Sequence, residues 1–184
     1  MADHSHNYPR SMNQGWVEIN RSVLFVCRAN QFRSPLAAAF FQELLIKNKM
    51  EQVWSVASAG TWTKDGLAFI PSPAWAMDHF SLDLSNHASK AINPKLVAKN
   101  DLVIVMERDQ KEALQIEYPE MRSKILLLTE FLDSHPYDIP DPTITQEESY
   151  FKVANEIKAL ITVNFQEICR WTILLQFNNQ KPEG

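Results

Sequence analysis

Two cysteines, Cys27 and Cys169, are all that this 184-residue chain contains. So few exclude a disulfide framework and point to a reducing, cytoplasmic setting. No segment is long and apolar enough to span a bilayer, and residues 1–21 lack the apolar core of a signal peptide. No run of Lys and Arg appears and the net charge is −4, so neither nucleic acid nor an anionic membrane is implied as a partner. Internal repeats and domain linkers are also missing.

What is present is ordinary for a globular chain: 45% hydrophobic and 22% charged residues, enough for one domain with a full core. Residues 1–21 are read as a flexible extension, with Trp16, Val17 and Ile19 packing onto the domain and His4 and His6 solvated rather than metal-bound. Residues 22–176 form the domain, and 177–184 a frayed tail. Strand and helix patterns alternate along the domain. Apolar runs precede Cys27 and fill 101–106 and 124–128, an alternating stretch with β-branched residues fills 52–59, and helical periodicity marks 34–49, a helix opening at Pro73, 93–99, 107–117 and 146–171. This order predicts an α/β fold, an open four-stranded parallel sheet with helices on both faces. Ligands bind such sheets beyond the carboxyl ends of the strands.

Cys27 lies at one of those ends. Val23-Leu24-Phe25-Val26 leads into it, a short polar turn follows, and Arg33-Ser34-Pro35 opens an alanine-rich helix. A C-x5-R loop between a strand and a helix N-terminus turns backbone N–H groups inward, and the helix dipole adds positive potential there. The pattern predicts a phosphate-binding loop at the end of the first strand, with Arg28, Ala29, Asn30, Gln31 and Phe32 around the anion and sulfur at its floor. Thiolate is the nucleophilic form of cysteine, and both helix N-terminus and guanidinium favour negative sulfur. Arg33 grips two phosphoryl oxygens in a planar fork that Lys cannot reproduce. The bland alternative is a buried structural cysteine followed by an ordinary loop.

Together with Ser58-Ala59-Gly60-Thr61, Asp83-Leu84-Ser85-Asn86-His87, the run Asp101–Glu107, and Asp138-Ile139-Pro140-Asp141-Pro142, the Cys27 loop resembles the low-molecular-weight protein tyrosine phosphatase family. The resemblance implies hydrolysis of phosphate monoesters without metal or other cofactor, through a phosphocysteine intermediate. It implies Cys27 as nucleophile, Arg33 as phosphate ligand, Ser34 as hydroxyl donor to the sulfur, and Asp141, on a mobile loop, as general acid and then base. Asp138 is the competing acid, and a turn aspartate is the bland reading of Asp141. Asn30, Ser58 and His87 match positions that brace the loop. The implied partner is a phosphotyrosine protein or a small aryl phosphate.

The chain departs from that family at three places. Ala29 stands where glycine is common, and a positive φ there would cost on the order of 1 kcal/mol. Phe32 replaces a second cysteine, removing the nearest disulfide partner for Cys27. Thr143 and Ile144 stand where aromatic residues flank the substrate, leaving Trp62 as a candidate pocket wall. Two other readings compete: a non-catalytic phosphate or phosphopeptide binding module, and an arsenate reductase, for which Cys169 is the sole remaining thiol.

Overall fold

The computed structural model describes residues 20–132, 135–143 and 145–179. Strands β1 (Arg21–Cys27), β2 (Trp54–Gly60), β3 (Leu102–Val105) and β4 (Ile125–Leu127) form one parallel sheet in the order β2-β1-β3-β4. Successive β1 side chains alternate between its faces. Val23 and Phe25, with Leu102 and Ile104, pack beneath α1 (Arg33–Lys47) and α5 (Glu147–Asn179). Leu24 and Val26, with Val103 and Val105, pack against α3 (Pro94–Lys99) and α4 (Arg108–Glu117). Both faces are covered, which is why β1 and β3 read as unbroken apolar runs.

Helix α2 (Pro73–Phe80) starts at Ser72, whose side chain accepts from the Trp75 amide, and α3 starts at Asn93, which accepts from Leu96. Both have proline in the first turn, where its missing N–H removes no hydrogen bond. Trp75, Ala76 and Phe80 carry the buried side of α2, and Met77 is exposed.

Element ends also shift from the sequence reading. Arg21 belongs to β1, in register with Trp54, rather than to the extension. Helix α5 continues to Asn179, past Trp171, because Thr172 and Leu175 remain buried beyond that point. The packing expected of Trp16, Val17 and Ile19, the histidines at 4 and 6, residues 180–184 and Ile144 lie outside the described residues. No described helix is long and apolar enough to cross a membrane.

The chain leaves β1 through α1 to reach β2 on one side, then crosses to β3 on the other. The strand order therefore reverses around β1, and a crevice opens at its carboxyl end. Cys27 is the last residue of that strand.

Candidate active site

The loop from Cys27 to Arg33 is held from outside by its carbonyl groups. The Cys27 and Arg28 carbonyls accept from the Thr61 and Trp62 amides (both 2.9 Å), and the Gln31 carbonyl accepts from the Ile70 amide at 2.9 Å. The Phe32 carbonyl begins the α1 ladder at Leu36, and the Asn30 carbonyl faces His87 Nε2 at 2.7 Å. In a planar trans peptide, carbonyl and following N–H point in opposite directions. Outward carbonyls at 27, 28, 30, 31 and 32 thus turn the amides of Arg28, Ala29, Gln31, Phe32 and Arg33 inward. Helix α1 has no side-chain N-cap, so its dipole also faces this ring. The result is an anion cradle built from main chain.

Cys27 Sγ sits beneath it, in a residue only 1% exposed. The Asn30 amide donates to that sulfur at 3.3 Å, and Ser34 Oγ lies 3.1 Å away. Only Ser34 can donate in that pair once the sulfur is a thiolate. Asn30 takes the left-handed conformation, φ 52°, which asparagine tolerates better than most residues. Its Nδ2 donates to Ser34 Oγ (2.9 Å) and Ser58 Oγ (2.8 Å), while its Oδ1 accepts from the Lys90 amide at 2.8 Å. Asn30, Ser58 and His87 are thus brought together in one network. The strain expected at Ala29 does not arise, because its neighbour takes the turn instead. Gly60 is the glycine the loop requires: a Cβ there would lie 2.8 Å from the Arg28 carbonyl oxygen.

Burial holds His87 below the ordinary histidine range, and Lys90 adds a smaller push the same way, against the bond to Asn30. The unfolded chain therefore protonates near the ordinary value of about 6.5 while the folded chain still resists. The stability that this neutral imidazole contributes is complete above that value and declines as pH falls below it. Urea midpoints measured between about pH 8 and about pH 5.5 should decline for wild type, and less steeply for His87→Gln, which keeps a donor without titrating.

Arg33 is fully buried. Its Nη1 donates to the Ile139 carbonyl at 2.6 Å and meets Glu107 at 3.0 Å, while Nη2 meets Asp141 at 2.6 Å. Glu107 is in turn bonded by Gln110, whose Oε1 accepts from the Met106 amide at 3.2 Å. Glu107 and Gln110 stand out only here. In sequence, Glu107 merely ends the β3 block.

Asp141 and Asp138 part company in space. Asp138 accepts from the Arg108 amide at 2.8 Å and from its Nε at 3.1 Å, and these bonds hold its carboxyl below the usual carboxylate range. Asp141 is half-exposed and borders the Cys27 cleft. The loop expected to be mobile is anchored in this state: the Ile139 amide donates to the Met106 carbonyl at 2.9 Å, and Thr129 and Tyr137 exchange bonds of 2.7 and 3.1 Å.

A cleft of about 180 Å³ leads to the sulfur between Ala29, Gln31, Phe32, Ile70, Asp141 and Tyr150. Tyr150, read in sequence only as an apolar position of the last helix, packs edge-on to Phe32 at 4.9 Å. Burial, and then the charge of Asp141, raises its phenol above the usual range and keeps it neutral. Trp62, 74% exposed, lines two outer clefts at the mouth rather than the one holding Cys27. Cys169 is remote from the site. It lies on α5 beside Arg21, at the opposite end of β1, roughly 20 Å along the strand from Cys27. Burial pushes that thiol up to about 12. No cluster of three metal-ligating side chains occurs among the described residues.

The family model described as low molecular weight phosphotyrosine protein phosphatase matches residues 22–171. The low molecular weight protein-tyrosine-phosphatase Wzb of Salmonella typhi is 32% identical over 160 residues, covering 87% of this chain and 97% of that protein. A protein-arginine-phosphatase of Bacillus subtilis is 26% identical over 139 residues, covering 76% of this chain and 91% of its own. Among solved structures, a low molecular weight protein tyrosine phosphatase from T. tengcongensis matches with a TM-score of 0.72 and 30% identity, covering 80% of this chain and 99% of that one.

Proposed function

The chain belongs to the low molecular weight phosphotyrosine protein phosphatase family, and on that premise we propose that it hydrolyses phosphotyrosine in proteins through a phosphocysteine on Cys27. The observation that carries this reading is the ring of inward amides around one buried sulfur, closed by the Arg33 guanidinium. Three equatorial phosphoryl oxygens fit that ring, and it is preorganised for the charge they carry in the transition state.

Cys27 thiolate attacks phosphorus from below. As the S–P bond forms, the P–O bond to the tyrosyl oxygen breaks, and that oxygen takes a proton from Asp141. The Asp141 carboxylate then accepts a proton from water as the water oxygen attacks phosphorus. The S–P bond breaks, and the returning thiolate is stabilised by Ser34 and the Asn30 amide. Nη2 of the guanidinium reaches Asp141 at the cleft, while Nη1 is held by Glu107 and Ile139. They are positioning groups.

Phe32, Ile70 and Tyr150 give the inner cleft apolar walls suited to an aryl ring. The Bacillus subtilis relative makes a protein phosphoarginine the alternative substrate within the same chemistry. A binding module needs neither Cys27 nor Asp141, and a reductase relay has no thiol near Cys27 among the described residues. The deciding experiment measures phosphate release from p-nitrophenyl phosphate, a phosphotyrosyl peptide and a phosphoarginyl peptide. The phosphotyrosyl peptide is expected to exceed the phosphoarginyl one; the reverse order would overturn the substrate assignment, and no release from any would overturn hydrolysis. Asp141→Asn is expected to slow phenyl phosphate by about 10²–10⁴-fold, and p-nitrophenyl phosphate by less, because nitrophenolate leaves without a proton.

A further inference from the structure

Beside the Cys27 cleft lies a larger one of about 690 Å³, sharing Ala29, Gln31 and Asp141 with it and bounded by Arg28, Trp62, Lys64 and Leu67. We propose that this cleft is a subsite for an acidic side chain next to the phosphorylated residue of a protein substrate. The proposal rests on the phosphatase reading above.

Charge complementarity carries it. The Arg28 guanidinium lies 4.8 Å from the Trp62 ring centre, which fixes an exposed cation against an aromatic face. Arg28 and Lys64 pair with no carboxylate among the described residues. The one acid of that loop, Asp65, accepts from the Ala91 amide at 2.7 Å and is not among the residues that line either outer cleft. The loop itself is pinned: Gly66 and Leu67 amides donate to the Ser89 carbonyl and hydroxyl, each at 2.9 Å, and the Trp62 amide donates to the Arg28 carbonyl. The two cations are therefore held on a built wall rather than on a free tail. The neighbouring cleft of about 590 Å³ shares Arg28, Trp62 and Asp141 with this one but carries Glu107 and Asp109 where this one carries Lys64, so the balance shifts toward negative charge across the mouth. A phosphopeptide crossing this mouth meets attraction for an acid on one side and repulsion on the other. Leu67, partly open to solvent, offers the apolar patch against which the stem of such a side chain rests.

The test compares kcat/KM for phosphotyrosyl peptides with either Glu or Lys at the neighbouring positions. Wild type is expected to favour the acidic peptide by about tenfold at low salt, with the preference shrinking as salt rises. Lys64→Glu is expected to reduce or invert that ratio, which is insensitive to any common loss of activity or folded fraction. Equal rates for the two peptides in wild type, or a ratio unmoved by Lys64→Glu, would overturn the subsite. Turnover of p-nitrophenyl phosphate, which has no flanking residues, reports separately on the phosphatase reading. If it fails, both ideas fall; if it succeeds while the ratio is flat, only the subsite falls.

Discussion

Cys27→Ser is expected to abolish turnover while leaving phosphate and vanadate binding in place. The two halves of this result come from different parts of the site. The proposed chemistry needs an anionic nucleophile, and an alcohol with no adjacent base does not supply one. Nothing in the loop offers a hydroxyl at position 27 such a base: Ser34 Oγ is committed as acceptor to Asn30 Nδ2, and its proton lies between the Ala59 carbonyl at 3.2 Å and position 27. A loss of about 10⁴-fold or more in kcat follows if the phosphoenzyme lies on the path. Binding depends instead on amides whose outward carbonyls are held by Thr61, Trp62, Ile70 and His87, and none of those bonds uses sulfur. Steady-state assays with p-nitrophenyl phosphate and vanadate titration by calorimetry separate the two. Turnover within tenfold of wild type would remove phosphocysteine from the mechanism.

The same separation explains what can be read from sequence. The cradle is made locally, by a strand end, a turn and a helix start within seven residues, so Cys27, Arg33 and Ser34 are visible in their order alone. Asn30, Ser58 and His87 come from matching blocks, and their meeting at Ser34 and the Asn30 carbonyl depends on β1 pairing with β2 in the register that sets Phe25 beside Ser58. What stays hidden are contacts fixed by tertiary placement. Tyr150 carries an apolar position in a helical stripe, and only the seating of α5 puts its ring at the cleft wall. Glu107, at the start of α4, and the Ile139 carbonyl, in the loop after β4, converge on one nitrogen of Arg33, a meeting that no spacing encodes. The strain expected at Ala29 fails for a related reason. Which loop residue adopts positive φ is set by the Asn30 hydrogen bonds, not by residue type at position 29.

Asp138 and Asp141 are separated by their surroundings rather than by their sequence. Both lie in one Pro-rich pentapeptide and both are carboxylates at a turn. Three bonds from Arg108 turn the first toward α4, where it fastens the loop. That fastening, with Ile139 buried beneath, leaves the second at the cleft beside the guanidinium. In the proposed mechanism Asp138 therefore fastens the loop, and Asp141 is the carboxyl group placed to meet the leaving oxygen.

Arg33→Lys is the remaining large effect, and it separates shape from charge. The substitution keeps one positive charge but replaces a planar fork with a point donor. The fork here works in two directions: Nη1 serves the Ile139 carbonyl and Glu107, and Nη2 reaches Asp141 at the cleft. A lysine ammonium that satisfies Glu107 cannot also present two donors to a phosphoryl group. The loss of two oriented donors in a water-poor site is expected to lower kcat/KM by about 10³-fold or more. Stability is expected to fall by about 1–3 kcal/mol, because the Ile139 carbonyl or a carboxylate is left unpartnered and ammonium is the more strongly hydrated ion to bury. Urea denaturation would measure the second loss and p-nitrophenyl phosphate kinetics the first. Stability lost with kcat/KM retained would mean that the guanidinium fastens the Asp141 loop without touching the phosphoryl oxygens. Retention of both would show that charge at this position suffices and that the fork is dispensable.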